Sequence, residues 1–444
     1  MDVARAACKT VGIPENKIYL LELPDAVTGG ISGGKLRTVN DLIKDGASCP
    51  PLEPLKWSKG EGARRVAFLC YSSGTSGLPK GVMISHRNVI ANTLQAHTHE
   101  LPYRDRMSKP GGPRYTEKCL GLLPMSHIYG LVVVCHLSLY RGDGVVVLPK
   151  FEMKSFLEAI QNQRIANLYL VPPIIIMITK SGKTLEQYDL SCVKAIFTGA
   201  APLGEETAED LAKMFPSWAI RQGYGLTETS TVVCSTVPED IWFGSSGSLL
   251  SGYEARLVTV EGNEITGYDQ PGELWVKSPS VTLGYLNNEK ATKETFIDGY
   301  MRTGDEAVIR KNPTSGHEHV FITDRIKELI KVKGLQVAPA ELEAHLLTHP
   351  AVNDCVVIGI PSDREGEVPK AFVVKSPNVG LEESMAALRR DIAKHVEKHK
   401  AKHKWLKGGI EFIEEVPKSP SGKILRRLLR DQEKEKRRNA GAKL

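Results

Sequence analysis

Between residue 62 and about residue 320, short apolar runs alternate with stretches of helical spacing. GLLPM, GVVVLP, ANLYLVPP and KAIFTGA are the apolar runs, and SFLEAIQNQ and GEETAEDLAKMF are the helical stretches. Strand–helix alternation of this kind predicts α/β layering. From residue 245 the texture changes to short strands and turns, with EGNE and DQPG as the turn sequences. That predicts a β-rich subdomain. Past DRIK at 324–327 lies a compact βαβ-like unit: KELIKVKGLQV, PAELEAHLLTHP, DCVVIGIPS, KAFVVK and a long helix SMAALRRDIAKHVEKHK. Pro339 suits the first turn of the helix it opens. The first 60 residues read as a strand (KIYLLEL), a turn, a short helix (TVNDLIKDG) and a loop. The expected fold is α/β, with a large N-terminal α/β domain over 1–325 that carries the β-rich subdomain. A small α+β C-terminal domain over 326–432 and a basic tail over 433–444 complete the expectation.

Composition narrows the class. The chain has 444 residues, 25% charged and 41% apolar, ordinary values for a globular enzyme. No segment reaches the ~18 apolar residues that span a bilayer. The apolar runs at 131–139 and 170–178 are short, and Pro172–Pro173 break the second. The start, MDVARAACKT, has no apolar signal-peptide core. Eight cysteines without C-x-x-C spacing suggest reduced thiols in an intracellular compartment. Residues 389–444 hold 18 Lys and Arg against 8 Asp and Glu. The run KHVEKHKAKHK within them has interleaved acids and no aromatic platform, so it reads as a solvated helix face and not as a nucleic-acid surface. His395, His399 and His403 fall at i, i+4 and i+8 and could share that face, but no carboxylate motif frames them as a metal site.

The loop YSSGTSGLPKG at 71–81 carries the first chemical signal. Pro79 before Lys80 and Gly81 after it break the Walker pattern, and glycines at 74, 77 and 81 miss the dinucleotide-binding spacing. The chemistry still suits phosphate. Glycines let backbone N–H groups converge on an anion. Ser72, Ser73, Thr75 and Ser76 add hydroxyls, and Lys80 adds a mobile charge. VAFLCY upstream reads as a buried strand and the stretch after His86 as a helix, a strand–loop–helix context that often holds anions.

Six more stretches follow in order. They are LPMSHIYG at 123–130, TGAAPLG at 198–204, QGYGLTE at 222–228, YMRTGD at 300–305, DRIKELIKVKGLQVAPAELE at 324–343 and PKSPSGKILRR at 417–427. Together with SSGTSGLPKG this set resembles the acyl-adenylating (AMP-binding) superfamily, in its 4-coumarate–CoA ligase and fungal acyl-CoA ligase branch. The resemblance runs over nearly all of the chain. It implies a two-step reaction, in which a carboxylate attacks the α-phosphate of ATP and CoA then displaces AMP from the acyl-adenylate. It also implies that the small domain is mobile.

The resemblance assigns residues. It places Ser72, Ser73, Gly74, Thr75, Ser76, Gly77 and Lys80 on the β- and γ-phosphates. Glu228, with Thr75, would hold Mg²⁺, and Thr227 the α-phosphate. Tyr224 would face adenine within Gln222-Gly223-Tyr224-Gly225, with Gly199-Ala200-Ala201 on the other side of the ring. Asp305 would take the ribose hydroxyls, and Arg325 the ribose or phosphate. Lys423 would reach between substrate carboxylate and α-phosphate. Lys327 matches a hinge, and Lys331, Gly334 and Gln336 would serve the CoA step. His127 would line the acyl pocket with Tyr129, Val133, Gly199, Gly225, Thr231 and Val232. Val133 and Thr231 depart from the plant pattern, so an aryl or medium-chain acid is expected.

Members of the superfamily carry a long segment before the part with which this chain begins. Its absence is expected to lower stability without removing the nucleotide site. An inactive nucleotide-binding remnant, or an adenylation domain loading a carrier protein in trans, are the alternatives. The expected partners are a small carboxylic acid and CoA, with no nucleic acid and no transmembrane segment. The terminal Ala442-Lys443-Leu444 is similar to the S-K-L address and implies a peroxisomal import receptor, at the end of a charged run expected to be disordered.

Overall fold

A computed structural model describes residues 2–23, 36–72, 79–377, 384–419 and 422–441. It comprises two units, residues 1–59 and 60–444. The first holds helices α1 (Asp2–Thr10) and α2 (Val39–Gly46). Thr38 and Asp41 form a reciprocal cap at the start of α2: the Thr38 N–H donates to the Asp41 carboxylate at 2.9 Å, and the Asp41 N–H donates to the Thr38 hydroxyl. KIYLLEL is not a strand. Lys17 closes a single 3₁₀ turn and Leu20 makes one isolated bridge to Thr38. None of the unit's residues with described burial is buried, so no apolar layer holds that segment extended.

The second unit opens with a hairpin of β1 (Val66–Ser72) and β2 (Lys80–Ser85), and helix α3 (His86–Met107) begins only after β2. The order is therefore strand, loop, strand, helix, which corrects the strand–loop–helix expectation. The α3 N-terminus is already closed by a capping box of Ser85 and Asn88. VAFLCY is a strand but not a buried one, since Cys70 is buried while Val66, Leu69 and Tyr71 are exposed.

Seven strands then form the main sheet: β3 (Lys118–Gly121), β4 (Gly144–Val147), β5 (Asn167–Leu170), β6 (Ala195–Thr198), β7 (Ala219–Leu226), β8 (Thr231–Ser235) and β9 (Ser248–Leu249). Their order is β4-β3-β5-β6-β7-β8-β9, parallel as far as β7 and antiparallel beyond it. Helices α4 (Met153–Gln163), α5 (Pro172–Thr179) and α6 (Glu205–Met214) lie between successive strands. Leu157, Ile160, Leu168, Ile175, Ile196 and Leu211 pack them onto the sheet in one core. Each side chain so buried contributes about 1.5–3 kcal/mol. The apolar run after 128 is a π-helix, Tyr129–Leu137. It starts where Gly130 passes so close to Pro124 that a Cβ would lie 2.2 Å from its carbonyl oxygen.

The expected β-rich region is a six-stranded antiparallel sheet of β10 (Glu254–Val258), β11 (Glu264–Ile265), β12 (Gly272–Lys277), β13 (Phe296–Ile297), β14 (Tyr300–Lys311) and β15 (Glu318–Arg325). After a turn at 326–328 comes a separate five-stranded sheet of β16 (Ile330–Val332), β17 (Leu335–Val337), β18 (Val352–Ser362), β19 (Gly366–Lys375) and β20 (Ile410–Phe412). Helices α7 (Pro339–Leu347) and α8 (Met385–His399) cover it through Leu342, Leu346, Leu388, Ile392 and Val396. Two local expectations fail here. Helix α8 stops at His399, so His403 falls in the 3₁₀ turn Lys402–Lys404 and leaves the shared face. The charged run near the C-terminus is helical: α9 spans Arg426–Gly441, buries Leu429 and pairs Glu433 with Lys370 at 2.6 Å.

Candidate active site

The end of β7 is shaped by what it cannot accommodate. A Cβ on Gly225 would lie 1.4 Å from the carbonyl oxygen of Thr231, and one on Gly223 would lie 2.5 Å from the Phe197 ring. Gly225 lets β8 fold back against β7, and Gly223 leaves room for the Phe197 ring of the neighbouring β6. The turn between them, Thr227–Thr229, ends on Ser230 and Thr231 at positive φ of 54° and 116°. This tight return holds Thr227 and Glu228 at the sheet end. Glu228 is buried and accepts a bond from the Tyr285 hydroxyl at 2.9 Å. The Lys80 ammonium lies 4.5 Å from the centre of the same tyrosine ring. Ser72 faces Lys80 across the hairpin. Ser73, Gly74, Thr75, Ser76 and Gly77 lie outside the described residues.

Tyr224 and the antiparallel sheet build the next part. The Tyr224 hydroxyl donates to Asp305 at 2.6 Å. Asp305 on β14 is the register partner of Arg325 on β15, and their charged groups approach to 3.6 Å. Burial raises the Asp305 carboxyl above the usual range, against the pull of Arg325 and the Tyr224 bond. Gln222 accepts from the Leu203 N–H, which ties the 198–204 loop to β7. Within that loop Ala200 adopts a positive φ of 69°, beside Gly199 and Ala201.

Lys423 arrives from the C-terminal region. A Cβ on Gly422 would meet Val171 at 3.4 Å, which puts this loop against the first turn of α5. There Lys423 is within electrostatic reach of Arg325, Glu228 and Asp305, and also of His127. Burial first, then Arg325, pushes the Lys423 ammonium down to about 8, while the two carboxylates act in the other direction. Burial and then Lys423 hold His127 below its ordinary value. Lys180 adds a tie between the two regions, donating to the carbonyls of Val352 at 3.0 Å and Asn353 at 3.3 Å.

The side that Tyr129 lines is apolar. Tyr129 is buried, donates to the Phe197 carbonyl at 2.8 Å and packs edge-on against Phe197 and Tyr169. Gly199 borders it, since a Cβ there would lie 3.6 Å from the Tyr129 ring. Val133 and Val232 belong to the same core. The Thr231 hydroxyl donates to the Ile128 carbonyl, and Asn92 brackets the Val232 backbone. Other assigned residues stand apart. Lys331 and Gln336 face each other across the β16–β17 hairpin and are exposed, with Gly334 in its turn. Lys327 is exposed in the 326–328 turn.

Residues 32–286 match the family model of the AMP-binding enzymes, and residues 341–423 match that of their C-terminal domain. The chain belongs to the AMP-binding enzyme family. It is 49% identical over 351 residues to the acyl-CoA ligase lcsD of Purpureocillium lilacinum, covering 79% of this chain and 88% of that protein. It is 42% identical over 436 residues to the acyl-CoA ligase cm3C of Cordyceps militaris, covering 97% and 67%. Its fold is similar to that of the anthranilate CoA ligase AuaEII in complex with anthranoyl-AMP. The TM-score is 0.76 at 27% identity, over 90% of this chain and 72% of that one.

This AMP-binding enzyme also carries site residues that no motif announced. Tyr285, which joins Glu228 to Lys80, sits in GYLNN with no pattern to single it out. Lys180 is one of many lysines in the sequence, and only the packed structure sets it against the backbone at 352–353.

Proposed function

We propose that this chain is an ATP-dependent acid–thiol ligase. It activates a hydrophobic carboxylic acid, aryl or medium-chain, as an acyl-AMP and transfers the acyl group to CoA. The observation that carries the reading is the seating of Lys423 from the C-terminal region among Glu228, Asp305, Arg325 and His127. The substrate carboxylate is ionised at neutral pH, so attack on the α-phosphate needs no general base. It needs two anions brought together, and preorganised positive charge is what lowers that barrier. Lys423, Arg325 and Lys80 supply it. Tyr224 and Asp305 suit the nucleoside, and Thr227 the α-phosphate. Tyr129, Val133, Gly199, Gly225, Thr231 and Val232 suit the acyl group, with His127 near its carboxylate.

Glu228 is a buried carboxylate, the hard oxygen donor that Mg²⁺ prefers, and Thr75 would complete its protein ligands. Mg²⁺, when bound, neutralises phosphate charge in such a site. The likeness to two relatives named as acyl-CoA ligases supports CoA as the acceptor.

ATP–pyrophosphate exchange with a panel of acids, followed by thioester analysis with and without CoA, tests the reading. Exchange stimulated by aryl or medium-chain acids, with acyl-CoA formed only when CoA is added, is expected. Exchange without thioester would point to a carrier protein as acceptor, and no exchange with any acid to an inactive remnant. We also propose peroxisomal residence from Ala442-Lys443-Leu444, which lie outside the described residues. A fluorescent fusion with a free C-terminus is expected to be punctate, and a cytosolic one would refute the address.

A further inference from the structure

Away from the nucleotide site, the C-terminal region gathers histidines from two helices. His345 lies on α7, and His395 and His399 lie on α8 at i and i+4, hence on one face. Each can offer a ligand atom within 4.8 Å of those of the other two. The His345 and His395 rings stack with centroids 4.3 Å apart, and His399 lies 5.2 Å from the first and 5.5 Å from the second. Packing α7 on α8 does not call for them, because Leu342, Leu346, Leu388, Ile392 and Val396 already form that core.

The second observation is how the rings are held. His345 Nε2 points at the His395 carbonyl at 3.2 Å, and His395 Nε2 at the His345 carbonyl at 3.3 Å and the Thr348 hydroxyl at 2.9 Å. His399 Nδ1 points at the His395 carbonyl at 3.0 Å. A carbonyl can only accept, so each ring donates from that nitrogen, and the other nitrogen is the one left to ligate an ion. Histidines that ligate metals are held in this way, one nitrogen on a backbone carbonyl and one on the ion. Two ligands at i, i+4 on one helix face recur in metal motifs. Lys400, within electrostatic reach of His345, is paired with Glu341 at 3.1 Å, and Lys404 with the same carboxylate at 2.6 Å.

We propose that His345, His395 and His399 bind one late first-row divalent cation, of the zinc class, that pins α7 to α8. An all-imidazole set favours zinc, cobalt, nickel or copper and not magnesium or calcium, which separates this site from the one at Glu228. Tetrahedral zinc holds its nitrogens about 3.3 Å apart, so the rings close inward by side-chain rotation. The location links the ion to the large domain. A Cβ on Gly204 would lie 3.0 Å from Ala344 on α7, and Glu206 on α6 is within electrostatic reach of His345. A bound cation therefore sits at the seam that the C-terminal region makes in the pose that seats Lys423.

The test uses the full chain, free of any tag and stripped with a chelator, titrated by calorimetry with zinc and in parallel with magnesium. One equivalent of zinc is expected to bind and to raise the melting temperature, and magnesium to do neither. Cobalt in place of zinc is expected to give the visible bands of a tetrahedral site. His399→Gln changes an exposed side chain, so it retains the fold, and it is expected to weaken zinc binding by on the order of 100-fold or more. His395→Gln is the second variant and is expected to do the same. No binding at micromolar zinc, or undiminished binding in both variants, overturns the site.

Discussion

Lys423→Ala is expected to slow adenylate formation by on the order of 10²–10³, the usual loss when one preorganised donor is removed. Reaction of supplied acyl-adenylate with CoA is expected to survive. The reason is positional. Lys423 is the charge that the C-terminal region brings to Glu228, Asp305 and Arg325, and it is needed where a carboxylate meets a phosphate. The pH dependence carries a second signature. Burial and Arg325 push the Lys423 ammonium down to about 8 from an ordinary 10.5. Below about 8 the lysine is charged whether docked or not, and docking bears the full cost of burying it. As pH rises from about 8 to 10.5 the docked form loses its proton first, so docking strengthens while the catalytic charge disappears. Adenylation kcat/KM is therefore expected to fall above about pH 8. The limb should vanish in Lys423→Arg, whose guanidinium keeps its proton. A limb that persists in Lys423→Arg would assign it to another group.

Much of this site was legible because its motifs mark places where the backbone has no freedom. Gly223 and Gly225 are readable as a pair, and the structure gives the reason in the 1.4 Å and 2.5 Å approaches that side chains there would make. The layered sheet was legible in part, since β4, β5 and β6 are the short apolar runs GVVV, NLYL and AIFT set between helical stretches. What failed was local order without a packing partner. KIYLLEL has strand composition, yet none of the residues of its unit with described burial is buried. VAFLCY has the composition of a buried strand, yet it packs only through Cys70 and Phe68 and leaves Val66, Leu69 and Tyr71 exposed, because a run of apolar letters does not state how many neighbours it will have. The charged tail reads as disordered by composition, but Leu429 and the Glu433–Lys370 pair anchor it as a helix. Contacts made across the fold, such as Lys180 to the backbone at 352–353 and His345 to α8, have no local signature at all.

The largest effect on the second step is expected from Lys327→Pro, which should leave adenylation within a few-fold and slow thioester formation by on the order of 10². With Lys423 seated at the site, Lys331 and Gln336 stand exposed on their hairpin. If they serve the CoA step, the C-terminal region must turn before that step, a hinge motion of the usual μs–ms kind. The 326–328 turn is where the chain leaves the large domain. Its backbone bonds use the N–H groups of Ile326, to Gly304, and of Glu328 and Leu329, to Arg325. A proline at 327 spares those bonds and fixes φ near −65° at the residue we propose as the hinge. Lys331→Ala and Gln336→Ala are expected to reproduce the same split without touching the hinge, with pyrophosphate exchange intact and thioester formation slow. The two half-reactions, measured separately for Lys327→Pro, Lys331→Ala, Gln336→Ala and Lys423→Ala, decide the matter. Equal losses in both steps for Lys423→Ala, or none in either for Lys327→Pro, would mean that a single pose of the C-terminal region carries both chemistries.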